Sequence, residues 1–262
     1  MTHLSIIRGL AASAALAALT GAAAAAPAIG LVGDKTLVWF DTDKPEITKT
    51  VEVEGVEMLQ GIDLRPSNTM LYGVTRDGTI VTIDIGTGAA TAGAKLATNL
   101  PEGVTASIDF NPMADRLRLM GSDGTNLRAN VDTGEVTVDG KLAFEAGDTN
   151  AESEPKVIAT AYINAYGKPE TTAMYDLDAS GNFIQQTKPN DGVLKTIGSL
   201  GIAATETAAM DVQTTADGTN TAWLAAGGAL YTIDVATGAA TKTGDITGAP
   251  GMLRDIAILP AM

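Results

Sequence analysis

Three aspartates stand at one position of a repeated segment. Gly61-Ile-Asp-Leu-Arg-Pro66 aligns with Ser107-Ile-Asp-Phe-Asn-Pro112 and with Ala209-Met-Asp-Val-Gln-Thr214, which puts Asp63, Asp109 and Asp211 in register. Carboxylates held around a common axis are what a glycoside or lactone hydrolase needs, an acid and a base or nucleophile flanking the scissile bond. Two features favour a structural role instead. Identical placement in successive repeats gives like environments, whereas an acid and a base need different ones. Aromatic platforms for a sugar are also scarce, with Phe 4, Trp 2 and Tyr 5 in the chain.

In the structural reading, period-2 alternation puts Asp63 and Arg65 on one strand face, and that face packs on the next repeat. Asp109 with Asn111, and Asp211 with Gln213, repeat the arrangement. Asp115, Arg116, Arg118, Arg128 and Arg254 are the candidate partners across the junctions. The candidate binding set is therefore Asp63, Arg65, Asp109, Arg116, Arg128, Asp211 and Arg254, with no catalytic residue and no metal ligand assigned.

Other chemistries are excluded by residue type. The chain has no Cys and its one His is His3, inside an Ala/Leu-rich leader. Ser-His-Asp and Cys-His catalysis, His-ligated zinc and covalent haem all lack their groups. Calcium is the one cofactor that oxygen-rich turns such as Asp123-Gly-Thr-Asn126, Asp176-Leu-Asp178 and Asp41-Thr-Asp43 would suit. None follows the EF-hand pattern, and Asp in turns commonly bonds its own backbone. With 17 Lys+Arg against 31 Asp+Glu and a net charge of −14, nucleic acid is not an expected partner. The expected partner is a small molecule or a protein. Trp39 and Trp223 read as packing residues, and the loop from Glu145 to Pro155 reads as a solvated loop suited to binding at a rim.

Residues 1–26 read as a secretory signal: a short basic start with Arg8, an Ala/Leu run, and small residues for cleavage between Ala24 and Ala28. The run is too short in long apolar side chains for a membrane span. The expectation is a single domain over residues 27–262, a monomer in the periplasm or outside the cell.

The elements that must carry these residues are short strands. Ile80-Val-Thr-Ile-Asp-Ile-Gly-Thr-Gly-Ala-Ala-Thr91 is nearly copied as Leu230-Tyr-Thr-Ile-Asp-Val-Ala-Thr-Gly-Ala-Ala-Thr241, and each reads as a β-hairpin. Its Asp position recurs as Asp41, Asp84, Asn130, Asp178 and Asp234, at spacings of 43, 46, 48 and 56 residues. Four strands per unit of that length predict a β-propeller. The N-terminal unit lacks its first strand, and Leu253-Arg-Asp-Ile-Ala-Ile-Leu-Pro260 is a first strand with nothing after it. The reading is all-β: five four-stranded blades closed by pairing of the terminal strands, or six if Val138 to Pro155 hides two more.

Gly61-Ile-Asp-Leu-Arg-Pro66, Asp109-Phe-Asn-Pro112 with Asp115-Arg-Leu-Arg118, and Asn126-Leu-Arg128 with Asn130-Val-Asp-Thr-Gly134 resemble a bacterial exported family catalogued as a domain of unknown function. So do Tyr162-Ile-Asn164, Pro189-Asn-Asp-Gly192 with Gly198-Ser-Leu-Gly201, Leu230-Tyr-Thr-Ile-Asp234 and Leu253-Arg-Asp-Ile256. Here Tyr162-Ile-Asn164 lacks the polar middle residue of the family's pattern. The resemblance implies a propeller-like, often secreted domain, with no established activity to carry over. Two functions follow as expectations: an exported, non-enzymatic binding or scaffold propeller, and alternatively a carboxylate-dependent hydrolase, with calcium as an assistant.

Overall fold

The computed structural model describes residues 25–203 and 205–260. The expected leader, up to Ala24, lies outside the described residues. From Pro27 on the regular secondary structure is almost entirely strand, and no helix among the described residues is long and apolar enough to cross a membrane.

The first sheet begins with β1 (Pro27–Val32), β2 (Thr36–Asp41) and β3 (Lys49–Glu52). Blade 1 follows as β4 (Leu59–Arg65), β5 (Met70–Thr75), β6 (Thr79–Ile83) and β7 (Ala90–Lys95). Blade 2 is β8 (Ala106–Asn111), β9 (Arg116–Gly121), β10 (Asn126–Ala129) and β11 (Val136–Val138). Blade 3 takes a short β12 (Ala143–Phe144), then β13 (Val157–Tyr162), β14 (Met174–Asp178), β15 (Asn182–Lys188) and β16 (Val193–Ser199). Blade 4 is β17 (Ala208–Thr214), β18 (Asn220–Ala226), β19 (Ala229–Ile233) and β20 (Ala240–Asp245). Finally β21 (Leu253–Ile258) pairs antiparallel with β1, Ala28 facing Ile258 and Gly30 facing Ile256, and completes the first sheet as blade 5.

Blade 5 thus takes three strands from one end of the chain and one from the other, as the sequence predicts. Inner strands β4, β8, β13, β17 and β21 neighbour one another in a closed ring. Closure pairs strand edges that would otherwise be open to another chain. Five is the blade number. The stretch from Val138 to Pro155 adds no sixth blade; it supplies only β12, which lies parallel to β16 on the outer edge of blade 3.

Apolar side chains gather between blades. One buried cluster joins blades 1 and 2 through Tyr72, Ile80, Phe110 and Leu119, and each of the other four junctions has its own. Burial of facing sheet faces is what orders the ring, since no disulfide and almost no helix is present among the described residues. The repeated Asp-x-x-Thr-Gly turns follow from local chemistry. Asp84 Oδ1 accepts the N–H groups of Gly86 and Thr87, while Gly88, at φ +79°, donates its N–H to the Asp84 carbonyl. Asp234 and Gly238 repeat the motif. Asp84, Asp178 and Asp234 are turn formers, as expected.

Candidate functional site

The C-terminal ends of the inner strands converge on a pocket of about 500 Å³ on the propeller axis. Its floor is made by Asp63, Asp109 and Asp211, each with a carboxylate oxygen within 4.8 Å of the other two. Leu64, Phe110, Val212, Ile258, Leu259 and Pro260 form apolar walls, and Tyr166 stands at the rim, 53% exposed. No Lys, Arg or His lines it.

Strand geometry explains the convergence. Each of these aspartates sits on the inner strand of its blade with its side chain turned toward the neighbouring blade, where an inner-strand N–H faces it. Asp63 Oδ2 accepts from the Phe110 N–H at 2.6 Å, Asp109 Oδ1 from the Tyr162 N–H at 3.1 Å, and Asp211 Oδ2 from the Ile258 N–H at 2.6 Å. The remaining oxygens differ. Asp63 Oδ1 and Asp211 Oδ1 accept the N–H of the following residue, Leu64 and Val212. Asp109 Oδ2 accepts no hydrogen bond among the described residues.

A fourth carboxylate belongs to the same system. Asp255 lies two residues earlier in its strand than the others and stitches β21 to β4, its Oδ2 accepting the Ile62 N–H at 2.9 Å. Gly61 makes that approach feasible, because a Cβ there would lie 2.5 Å from Asp255 Oδ2 and 2.9 Å from Ile108 Cγ1. Sequence reasoning missed Asp255 because alignment on the Asp63 position puts Ala257 there. The available signal was the period of two, by which Asp255 and Ala257 share a face.

Burial dominates the electrostatics. It pushes the Asp63, Asp109 and Asp255 carboxyls well above the ordinary range, with further upward push from the neighbouring carboxylates, Asp211 among them. Asp211 is raised by burial to about 6, its two N–H bonds opposing the rise. Three carboxylates this close cannot all ionise without a cation; otherwise they hold protons.

The other candidates lie elsewhere. Arg65 clamps blade 1 to blade 2, bonding Asp115 through Nε and Nη2 at 2.8 and 2.6 Å and Asp132 through Nη1 and Nη2 at 2.7 and 2.8 Å. Arg118 also crosses a junction, reaching Tyr162 and Asn190 of blade 3 while pairing with Asp139 at 2.6 Å. Arg116, Arg128 and Arg254 do not reach the pocket. Arg116 bonds carbonyls of its own turn, Ala114 and Asp115, and Arg128 pairs with Asp139 within blade 2. Arg254 lies at the opposite end of its strand from the pocket, with Nη1 on the Gln60 carbonyl at 3.0 Å. Gln213 bonds Trp223 of its own blade rather than a neighbour. The Glu145–Pro155 loop is tied to the outer strand β16 through Asp148 and Thr196, away from the pocket.

The loop that does reach the mouth runs from residue 163 to 173. Blade 3 carries Ala161 where its neighbours carry aspartate, so its junction with blade 4 needs another fastening. Asn164, at φ +64°, exchanges hydrogen bonds with Asn220 at 2.9 and 2.7 Å, and Ala165 donates to Thr214 Oγ1 at 2.9 Å. These bonds pin the base of the loop and place Tyr166 over the axis.

Residues 36–257 match the family described as a domain of unknown function (DUF4394). The chain belongs to that family. Among solved structures, a protein of unknown function from Bacteroides thetaiotaomicron is similar at 18% identity, with a TM-score of 0.53 over 89% of this chain. This chain spans 66% of that protein's length, and the likeness is one of fold. A Bacteroides caccae protein of unknown function aligns over 89% of this chain and 99% of its own, at 12% identity and a TM-score of 0.42. No curated protein matches.

Proposed function

We propose that this is an exported, non-enzymatic binding propeller that holds a small ligand in its axial pocket. One observation carries the reading: a ligand-sized, largely apolar pocket closes on a floor of convergent polar groups whose hydrogen bonds already serve the fold. Export rests on the composition of residues 1–26.

The hydrolase alternative is weakened at the same place. A retaining mechanism uses two carboxyl groups about 5–5.5 Å apart, one attacking and one moving a proton. The spacing of the floor would allow it. Only Asp109, however, has an oxygen free of backbone N–H bonds, since both oxygens of Asp63 and of Asp211 are taken. Burial raises all three above the ordinary carboxyl range, so none is set apart as the ionised partner that a base or nucleophile must be.

The test is a thermal-shift panel of neutral, anionic and cationic small molecules, run beside glycoside and lactone hydrolysis assays. Binding without turnover is expected. Turnover that Asp109→Asn abolishes, with the melting temperature not lowered, would replace this reading by the hydrolase.

A further inference from the structure

Resting on the binding reading above, we propose that the ligand is a primary amine, its ammonium seated on Asp63, Asp109 and Asp211 and its apolar body against Phe110, Val212 and Ile258 beneath Tyr166.

Charge favours a cationic guest. Asp63, Asp109 and Asp211 are 6%, 5% and 8% exposed, and no basic side chain lines the pocket. The Asp139 carboxylate, its side chain 5% exposed, is by contrast answered by Arg118 and Arg128. The floor is a desolvated cluster of acids with no cation of the protein's own, so a cationic guest gains where a neutral or anionic one does not.

Hydrogen bonding favours a donor there independently of the number of acids. Asp109 is 95% buried, by its 5% exposure, yet its Oδ2 has no hydrogen-bond partner among the described residues and its side chain lines the pocket. An oxygen of a buried side chain that meets the pocket without a protein donor is open to a donor from the ligand.

Coordination number then separates an ammonium from a bare metal ion. An ammonium offers three N–H donors, and oxygens bonded to it at ~2.8 Å lie roughly 4.6 Å apart by tetrahedral geometry. The three floor oxygens lie within 4.8 Å of one another. Calcium wants about 6–8 oxygen ligands. Above the three carboxylates this pocket turns apolar, which suits an alkyl or aryl-alkyl chain. Tyr166 can close over that chain or stack on an aromatic end.

Calorimetry on the protein tests the proposal with hexylamine and phenethylamine, against 1-hexanol, hexanoate and calcium chloride. The amines should bind, with hexanol at least ~10-fold weaker for want of the charge-assisted bonds. Hexanoate should not bind. Asp109→Asn keeps an oxygen for the Tyr162 N–H while removing the free carboxylate oxygen, so it should fold and lose ~10-fold or more in amine affinity. Tyr166→Ala, altering an exposed side chain, gives a second variant that should weaken phenethylamine more than hexylamine. At pH 6 the amine should displace protons from the floor, seen as a binding heat that changes with the buffer's ionisation enthalpy. Hexanol or hexanoate binding as tightly as hexylamine overturns the amine assignment and leaves the binding reading standing. Calcium binding that amines do not displace also overturns it. Failure of every probe overturns both.

Discussion

Replacing Arg65 by Ala tests whether the blade junctions are held by charge as well as by apolar packing. Arg65 is buried, its side chain 8% exposed, and spans blades 1 and 2 through four N–H···O contacts of 2.6–2.8 Å to Asp115 and Asp132. Those carboxylates, Asp115 first, hold the guanidinium well above its ordinary value. Stripping one partner from a fully buried pair costs about 3–5 kcal/mol. Here the abandoned groups keep solvent, with side chains 37% exposed at Asp115 and 61% at Asp132, so neither is stranded. Discounting for that screening, the expected loss is about 2–3 kcal/mol. At roughly 2–4 °C per kcal/mol for a domain of this size, Tm should fall by about 5–10 °C. Circular dichroism melts at low and high salt measure it, and Asp132→Asn, on the exposed side, should cost under about 1 kcal/mol. An Arg65→Ala protein melting within about 1 °C of the parent would show that charge adds nothing to the junction, which would then owe its order to the apolar cluster alone.

Stability should also depend on pH in an unusual direction. The carboxyls of Asp63, Asp109, Asp211 and Asp255 titrate higher folded than unfolded, so the native state binds more protons; stability is then greatest near pH ~4–5 and falls as pH rises through about 6 and beyond. Below that window the lowered carboxyls of Asp84, Asp115 and Asp234 work the other way. A Tm that climbs steadily from pH 5 to pH 8 would contradict this. Asp109→Asn should raise Tm at pH 8 by a few degrees, since it removes a buried ionising group while its Tyr162 N–H bond survives; a loss of several degrees would show that the free oxygen stabilises the fold. Gly61→Ala should cost about 1–3 kcal/mol by driving a methyl into Asp255 and Ile108, and an unchanged denaturant midpoint would mean that β21 and β4 yield without penalty.

The propeller class and its ring closure were legible in the sequence, while the choice of five blades over six waited on the Val138–Pro155 stretch. Period-two alternation, the Asp-x-x-Thr-Gly turns and a unit length compatible with four strands are local signals, and each acts within a few residues of chain. The split of blade 5 was legible for the same reason: the leading strands lack an inner member and the closing segment is an inner strand without followers. Placing Asp63, Asp109 and Asp211 around one axis needed only the repeat register. Tertiary structure decided what those aspartates do. Whether a carboxylate oxygen is tied to a neighbouring blade's N–H or left free, as only Asp109 Oδ2 is among them, depends on how adjacent blades pack, and no residue type encodes that. It also decided that Asp255 joins the system beside Gly61, that Arg116, Arg128 and Arg254 stay away from the pocket, and that residues 163–173 rather than 145–155 reach its mouth. These are relations between segments tens to nearly two hundred residues apart, set by the packing of whole sheets, and so they appear only once the ring is closed.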